Sequence, residues 1–336
     1  MSSSSDNRIV ILHEAVAENA RPDEFDLLVQ VEEVTASLER LGWDVHTLAV
    51  DLDFAKTLTA LRDFGAVCVF NLVESLGGCG QLITVVPSLL SAAGLRFTGS
   101  DADAIYLSSQ KTLAKRWMAL HGIATPSWIG SGDEIGANSQ RWIVKSVWEH
   151  ASLGLDDDAV VRGKRAVSDR LEKCRSGFGG EWFAERFIDG REFNVSVIEE
   201  SGEPYILPIA EIRFEDYAPG KPHIVGYAAK WVSESHEYHN TPRHFPKLSP
   251  QQDARIRDVV KRCWRLFRLS GYARVDIRLD GRGVPWVLEI NANPCLSRDA
   301  GFVAAANEAG IVYDRAIELI LDAANETSVR PAETAR

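Results

Sequence analysis

The stretch from residue 273 to residue 294 constrains the fold more than any other part of the sequence. It consists of two short apolar runs separated by Asp-Gly-Arg-Gly, a turn signal that predicts a β-hairpin. Because side chains alternate along a strand, we expect Asp276 on the first run to lie beside Glu289 and Asn291 on the second. These oxygen donors, with Arg274 next to them, suit Mg²⁺ shared between protein and phosphate. The alternative is an ordinary amphipathic hairpin with a solvated polar face.

The composition is that of a globular protein without a disulfide framework. Of 336 residues, 45% are hydrophobic and 25% are charged, and the formal net charge is −11. This negative charge disfavours nucleic acid or an anionic membrane as the main partner. Five cysteines without CxxC spacing argue against a zinc site and for a reducing compartment. Since no apolar run reaches membrane-spanning length and no signal-peptide pattern is present, we expect a cytoplasmic protein.

The first part of the chain alternates strand and helix patterns. A β-branched run at residues 8–12 predicts a buried strand, and apolar residues at helical spacing follow between 27 and 41. This order predicts a parallel α/β sheet, in which functional sites lie beyond the carboxyl ends of the strands. His13, Glu14 and Glu74 occupy such positions and are candidates for substrate contact, with solvated loop residues as the alternative.

Two lysines in the middle of the chain could hold phosphate groups. Lys111 stands at the start of a predicted helix, where a cation interacts unfavourably with the helix macrodipole. A functional role would explain why a lysine occurs there. Lys145 ends a predicted strand and precedes a small-residue loop, 148–154, that could cover the phosphates of a nucleotide. Solvated surface lysines are the alternative.

Two glutamates flank one predicted bend between strands. The carboxylates of Glu185 and Glu192 can accept hydrogen bonds from an adenine amino group and ribose hydroxyls. The alternative is a charged sheet edge that discourages aggregation. Residues 217–244, which include Lys230, are polar with scattered Pro and Gly, a pattern that predicts a long functional loop.

In their order along the chain, these residues resemble the ATP-grasp superfamily, and within it the D-alanine–D-alanine ligases. The likeness spans residues 70–323 and is sharpest at 274–276, at 288–294, and at 97–100 together with Lys111. It implies an α/β (α+β) fold of three-subdomain ATP-grasp architecture. The implied parts are an N-terminal parallel-sheet α/β domain at 1–103, a central lid at 104–187, a C-terminal subdomain with the metal hairpin at 188–325, and a disordered tail at 326–336.

The resemblance implies phosphate-binding roles for three lysines. Lys111 and Lys145 would hold the phosphates of ATP, and Lys230 would reach the outer ones. The family's small-residue loop offers two serines over the phosphates. Here Ala151 stands in the first position, which leaves Ser152.

The resemblance also implies how the adenosine part of ATP is bound. Glu185 would accept from the adenine amino group, and the backbones of Arg186 and Ile188 would complete that contact. Lys145 would lie against the adenine, and Glu192 would bind the ribose.

Two magnesium ions are expected from the same likeness, with Mn²⁺ as an alternative. Asp276, Glu289 and Asn291 would hold them, and Glu289 would bridge the pair. Arg274 would stabilise the transferring phosphoryl group and the later tetrahedral intermediate. The reaction implied is ligation of a carboxylic acid to an amine through an acyl phosphate, which needs small-molecule partners. A homodimer is expected on family likeness alone.

The sequence departs from the family where the small D-amino acid is recognised. Trp231 replaces a tyrosine after the phosphate lysine, Cys295 replaces a glycine, and Ala300 aligns with the serine that would hold the second substrate's carboxylate. We therefore expect an amino acid or peptide substrate other than a D-alanine pair. Candidates for substrate contact are His13, Glu14, Glu74, His150, Trp231, Arg298 and Asp299, with Arg298 as a possible carboxylate ligand.

Two other functions remain open on the sequence. One is a genuine D-alanine–D-alanine ligase of cell-wall synthesis. The other is a non-catalytic regulator that binds ATP, against which the presence of Arg274 argues, because a pure binder has no use for a cation at the transferring group.

Overall fold

The computed structural model of the chain describes residues 7–16, 20–130, 140–149 and 151–327. Its first region consists of β1 (Arg8–Glu14), α1 (Pro22–Arg40), β2 (Asp44–Val50), α2 (Phe54–Phe64), β3 (Cys68–Asn71) and α3 (Val85–Ala92). The strands form a parallel sheet in the order β2-β1-β3, which confirms the predicted N-terminal α/β sheet. The middle strand is apolar without alternation because Ile9, Val10, Ile11 and Leu12 are all buried.

A four-stranded antiparallel sheet follows. The next elements are α4 (Ala102–Ser109), α5 (Lys111–Leu120), β4 (Trp128–Ile129), β5 (Arg141–Ser146), β6 (Val160–Arg162), α6 (Lys164–Phe178) and β7 (Trp182–Arg186). The strand order is β4-β7-β5-β6, and α6 packs Val167 and Leu171 against Trp142 of the sheet. By contrast, Ile105 of α4 and Met118 of α5 belong to the core of the next sheet.

The third sheet is antiparallel and has six strands. The remaining elements are β8 (Arg191–Glu200), β9 (Glu203–Ile206), β10 (Ala210–Ile212), α7 (Tyr227–Trp231), α8 (His236–His239), β11 (Arg243–His244), α9 (Pro250–Leu266), β12 (Tyr272–Leu279), β13 (Pro285–Asn291), α10 (Gly301–Glu308) and α11 (Tyr313–Thr327). The order is β11-β10-β8-β12-β13, with β9 also paired to β8. Helix α9 covers this sheet through Val260, which shares a buried cluster with Val275 and Ile290.

The predicted hairpin is present as β12 and β13. Its register places Asp276 opposite Glu289 and Arg274 opposite Asn291, with an irregularity after Asp276. The carboxylate of Asp280 closes the turn, because it accepts two main-chain N–H bonds at 2.9 Å. The acidic side chains of the two strands therefore meet as the alternation predicts.

Two predictions about irregular segments are wrong. Residues 217–244 are not one long loop, since they contain α7, α8 and β11. The predicted disordered tail begins too early, because α11 continues through Thr327; the rest of that tail lies outside the described residues. The chain passes from the four-stranded to the six-stranded sheet between β7 and β8, while the domain bounds themselves stay predictions. Within the described ranges, no helix combines the length and the apolar character needed to cross a membrane.

Candidate active site

Most of the predicted site residues line one cavity of about 580 Å³. The cavity is bounded by the carboxyl ends of the N-terminal strands, the four-stranded sheet, the hairpin, and the segment that carries α7 and α8. The predicted residues on its wall are Glu14, Glu74, Lys111, Lys145, Ser152, Glu185, Arg186, Ile188, Glu192, Lys230, Trp231, Arg274, Asp276, Glu289, Asn291 and Asp299.

Neighbouring cations hold the two hairpin carboxylates. Arg274 donates to both oxygens of Asp276, at 2.8 and 2.9 Å, and Asn194 donates to Asp276 at 2.8 Å. The ammonium nitrogen of Lys111 lies 3.8 Å from an oxygen of Glu289. Burial alone would lower the pKa of Arg274, but the attraction of Asp276 and Glu289 outweighs it and raises that pKa. The guanidinium is therefore charged, and its bonds to Asp276 fix it on the cavity wall.

The donor chemistry of the hairpin fits magnesium. A carboxylate offers about four lone-pair sites, and the bonds to Asp276 leave one of its oxygens with room for another partner. Asn291 uses its side-chain oxygen to accept the N–H of Asn293 at 2.9 Å. No group of three His, Cys, Asp or Glu side chains suited to a metal occurs in the part of the chain that the structure describes. The set therefore suits an ion whose remaining ligands come from phosphate rather than one held by protein alone.

Glu185 lies between two lysines, one of which, Lys115, the sequence reasoning did not assign to the site. Its carboxylate is 2.7 Å from Lys145 and 2.5 Å from Lys115, and both lysines and the glutamate are largely buried. Lys115 also donates to the Thr125 hydroxyl and the main-chain oxygen of Leu288, each at 3.0 Å. Burial favours neutral Glu185, but the two ammonium groups outweigh it and hold the pKa of this carboxyl below its usual range. The predicted adenine ligand is thus already paired on both oxygens.

Arg278 is a second buried cation that sequence reasoning did not assign to the site. It donates to Glu192 at 2.6 and 3.0 Å and to the main-chain oxygen of Ile188 at 3.2 Å. Its guanidinium lies 5.1 Å from the ring centre of Phe187. The predicted ribose ligand and part of the predicted adenine hinge therefore share one arginine partner.

The predicted cover loop, 148–154, is linked to the segment that carries α7, and residues of both line the cavity. The Ser152 hydroxyl donates to the main-chain oxygen of Val225 at 3.0 Å, and the Trp231 indole donates to that of Ala151 at 3.0 Å. Ser152 has a φ of 61°, a left-handed conformation that is uncommon for residues other than glycine. The small-residue loop and the segment around α7 therefore close on one another.

Buried carboxyl groups gather at the end of the cavity formed by the N-terminal sheet. Glu14 accepts the N–H of Glu74 at 3.1 Å and the hydroxyl of Ser75 at 3.3 Å. Burial raises the pKa of Glu14 to about 6. Burial, followed by repulsion from Glu14 and Asp26, raises the pKa of Glu74 to about 8. Near neutral pH, Glu74 is therefore mostly protonated, and Asp26 is a further acid of the cavity wall that was not predicted.

Two of the predicted substrate residues that the structure describes are not brought to the cavity. His13 does not line it, and its ring Nδ1 pairs with the main-chain oxygen of Glu14 at 2.8 Å. Arg298 is also absent from the wall, because its guanidinium lies 4.2 Å from the ring centre of Tyr313 and 3.9 Å from Glu33. Arg298 is therefore not placed to bind a substrate carboxylate there. His150 lies outside the described residues.

Sequence comparisons place related proteins over most of the chain. A model of the family described as "D-ala D-ala ligase C-terminus" matches residues 135–322. The "Uncharacterized protein y4sG" of Sinorhizobium fredii is 31% identical over 262 residues, which cover 76% of this chain and 74% of that protein. A D-alanine–D-alanine ligase from a Synechococcus species is 29% identical over 296 residues, or 85% of this chain and 84% of the relative.

Solved structures share the fold. A D-alanine–D-alanine ligase from Bacillus anthracis, crystallised with ATP, has a TM-score of 0.76 at 19% identity and covers 97% of this chain and 99% of its own. The corresponding ligase from Coxiella burnetii has a TM-score of 0.72 at 15% identity, with coverage of 97% and 95%. These likenesses confirm the predicted ATP-grasp architecture.

Proposed function

Because the chain belongs to the D-alanine–D-alanine ligase family, it is an ATP-dependent enzyme that forms carbon–nitrogen bonds, and we propose its reaction in more detail. It activates a carboxylic acid as an acyl phosphate and joins it to an amine, with an amino acid or peptide substrate other than a D-alanine pair. The observation that carries this proposal is the single cavity whose wall is formed by Lys111, Lys145 and Lys230 together with Arg274 and the acidic side chains of the hairpin.

The acyl phosphate gives the acid a leaving group that an amine can displace. A carboxylate is a poor acyl donor, because an attacking amine would have to expel oxide. In the proposed first step, one carboxylate oxygen attacks the γ-phosphorus of ATP, and the phosphorus–oxygen bond to ADP breaks. The amine nitrogen then attacks the acyl carbon, inorganic phosphate leaves, and the nitrogen loses a proton to give the amide. Phosphoryl transfer needs positioning and charge stabilisation more than a protein nucleophile.

The electrostatics of the cavity favour a phosphate chain. Burial lowers the pKa of Lys111. Burial, followed by repulsion from Arg274, lowers the pKa of Lys230. An anion placed among these cations relieves both costs, because it favours the charged form of each lysine. We therefore assign phosphate binding to Lys111, Lys145 and Lys230, and stabilisation of the transferring group to Arg274.

Magnesium fits the hairpin in this proposal. Asp276, Glu289 and Asn291 would hold it, since they place oxygen donors side by side. When bound, Mg²⁺ neutralises charge on the phosphate oxygens during transfer. Two ions, with Glu289 bridging and Mn²⁺ as a substitute, remain part of the proposal.

Exclusion of water is the second task of the site. An acyl phosphate hydrolyses readily, so the amine must reach it before water does. The contacts of Ser152 with Val225 and of Trp231 with Ala151 close the cavity on the side of the two covers. We infer that these covers open for substrate entry and product release.

The substrate proposal rests on residues that differ from the family pattern. Trp231 carries an indole instead of a phenol, Cys295 replaces a glycine, and the side chain of Ala300 cannot donate to a carboxylate. A site built to hydrogen-bond its substrate discriminates through those polar groups, so their replacement changes specificity sharply.

Two other functions are distinguished from this one by an assay of ADP formation. The name of the Synechococcus relative favours a genuine D-alanine–D-alanine ligase. A regulator that only binds ATP is disfavoured by Arg274, which lines the cavity and is fixed against Asp276.

The decisive experiment is ADP formation measured over pairs of amino acids and dipeptides. We expect ADP only when an acid and an amine are both present, with the best pair not being two D-alanines. D-alanyl-D-alanine as the best product would establish the alternative ligase, and ATP binding without ADP formation would establish the regulator. The double variant Asp276→Asn/Glu289→Gln should abolish turnover, whereas Arg165→Ala, at a side chain that is 95% exposed, should not.

We also propose the three subdomains at 1–103, 104–187 and 188–325, a homodimer, and a cytoplasmic location without nucleic-acid or membrane partners. Limited proteolysis, light scattering and cell fractionation test these points independently. A monomer in solution would refute the dimer alone.

A further inference from the structure

Arg170 is a buried cation that does not line the cavity. It lies on α6, and its side chain is only 4% exposed although a guanidinium is always charged. Its Nη2 donates to the main-chain oxygen of Gly154 at 2.6 Å and to the carboxylate of Asp156 at 2.7 Å. Its Nε is buried without a hydrogen-bond partner among the described residues. The guanidinium is therefore held through residues 154–156, a segment that we call the joint.

The joint also contacts the start of α7, the helix that carries Lys230. The main-chain oxygen of Leu155, the middle residue of the joint, accepts the N–H of Tyr227 at 2.9 Å. A Cβ built on Gly226 would lie 2.5 Å from that same oxygen, so the start of α7 is in close contact with the joint. Leu155 and Lys230 both line the cavity. The joint thus connects α6 to a helix that carries a proposed phosphate ligand.

Packing fixes the joint in addition to the hydrogen bonds. Gly154 has a φ of +68°, and a Cβ there would lie 2.7 Å from the ring of Trp182 and 3.2 Å from that of Phe178. The chain follows this path because glycine has no side chain to collide with the two rings. If Arg170 only filled the core of the four-stranded sheet, its hydrogen bonds would go to that sheet, but they go to the joint.

Displacement of the joint would leave the buried guanidinium without its partners. Such a loss costs far more than the loss of an exposed ion pair. Lys173, on the same helix, shows the contrast: it pairs with Asp158 at 3.3 Å, and the two side chains are 65% and 74% exposed. Arg170 therefore favours the arrangement in which the joint contacts α7, whereas Lys173 contributes little to it.

We propose that Arg170 is a positioning residue, which holds the joint so that the cover loop, 148–154, and Lys230 are preorganised for the phosphates of ATP. The inference rests on the proposed function and adds a residue that acts through the joint without touching the nucleotide. When the binding-competent arrangement is only partly populated, the apparent affinity falls by that fraction. A cover that closes badly also admits water to the acyl phosphate.

The test measures nucleotide affinity and coupling separately. Binding of ATP with Mg²⁺ is measured by calorimetry without other substrates, and amide and phosphate are measured with the best acid–amine pair. The wild type should form amide and phosphate in equal amounts. Arg170→Met, which keeps a long side chain without the guanidinium, should raise Kd for ATP about 10-fold and release phosphate in excess over amide. Arg170→Lys should lie between the two, because it keeps the charge and loses the planar donor geometry.

Two further variants separate positioning from stability. Lys173→Ala, on the same helix, is the matched control and should match the wild type in both measurements. Gly226→Ala approaches the joint from the side of α7 and leaves Arg170 in place. Because its Cβ would overlap the main-chain oxygen of Leu155, it should raise Kd for ATP and release excess phosphate as Arg170→Met does. Urea unfolding checks that each variant is folded.

The possible failures are distinguishable. If Arg170→Met lowers only the free energy of unfolding, and binds ATP and couples amide to phosphate as the wild type does, the inference is wrong and the ligase stands. If Arg170→Met does not fold, Gly226→Ala decides, and wild-type values in both measurements refute the inference. If no acid–amine pair supports ADP formation, the proposed function fails, whereas the calorimetry still tests whether Arg170 positions the nucleotide site.

Discussion

The buried cluster of Lys115, Glu185 and Lys145 gives the most demanding test of how the site holds its charges. Lys115→Met keeps a side chain of similar length and removes the ammonium group. The change leaves one oxygen of Glu185 without its cation. It also removes the hydrogen bonds that the Lys115 ammonium donates to the Thr125 hydroxyl and to the main-chain oxygen of Leu288. Both charges of the pair are shielded from solvent in the folded enzyme, since Lys115 and Glu185 are each only 1% exposed.

The expected cost follows from that geometry. Removing one partner of a buried ion pair costs about 3–5 kcal/mol, because the remaining charge loses its compensation. Glu185→Gln should cost at least as much, since it leaves two ammonium groups facing each other across an amide. The double variant Lys115→Met/Glu185→Gln should cost less than the sum of the singles, because both singles break the same contact.

Urea unfolding followed by tryptophan fluorescence measures these free energies, and Arg165→Ala is the control, expected within about 0.5 kcal/mol of wild type. A loss below about 1 kcal/mol for Lys115→Met would match an exposed ion pair. That result, or strict additivity in the double variant, would refute the assignment of a buried, coupled cluster.

Further predictions concern pH, the nucleotide and the backbone. Burial raises the pKa of Glu74 from 4.5 to about 8, so between these pH values the folded chain keeps a proton that the unfolded chain has released. The free energy of unfolding of the wild type should therefore fall as pH rises from 4.5 to about 8. In Glu74→Gln, the free energy of unfolding, measured with urea, should depend less on pH across that range. Arg278→Ala leaves its carboxylate partner unpaired, so KM for ATP should rise about tenfold or more in the phosphate-release assay; an unchanged KM would remove Arg278 from the nucleotide site. Gly190 has a φ of +149°, and a Cβ there would overlap a main-chain oxygen of β12, so Gly190→Ala should lower the free energy of unfolding in urea by about 1–3 kcal/mol. Gly177→Ala, in open space on α6, should not destabilise the protein. Equal effects of the two variants would contradict the close approach of Gly190 to β12.

The sequence predicts local features of this fold well. The hairpin is recognisable because its turn residues and its alternation act over short distances, and Asp280 indeed closes the turn with its own carboxylate. The parallel sheet is also predictable, since β1 contains four consecutive apolar residues, 9–12, which are all buried. The meeting of Asp276 and Glu289 follows from strand periodicity together with the position of the turn.

Partners that arrive from distant elements are not predictable in this way. Arg278 shares a strand face with Asp276, but its partner Glu192 lies 86 residues earlier, on β8. Lys115 stands four residues after Lys111 on α5, a spacing that places both on one helix face and could have indicated a paired role.

Two arginines show that local sequence does not predict which side chain reaches the cavity. Arg298 follows the metal motif in sequence, yet it turns to Glu33 and Tyr313 of other helices. Arg243, which lines the cavity, falls in a segment whose polar composition predicts only a loop, and the two-residue strand that fixes its backbone depends on pairing with β10. Tertiary contacts, not local pattern, decide which of them reaches the cavity.

The fate of a carboxylate oxygen tests the central claim most directly. An acid substrate found in the screen is labelled with ¹⁸O in its carboxylate and turned over with ATP and the amine. Attack of that carboxylate on the γ-phosphorus predicts that one labelled oxygen leaves with inorganic phosphate. Label in AMP, or unlabelled phosphate during amide formation, would contradict an acyl phosphate and with it the role assigned to this cavity.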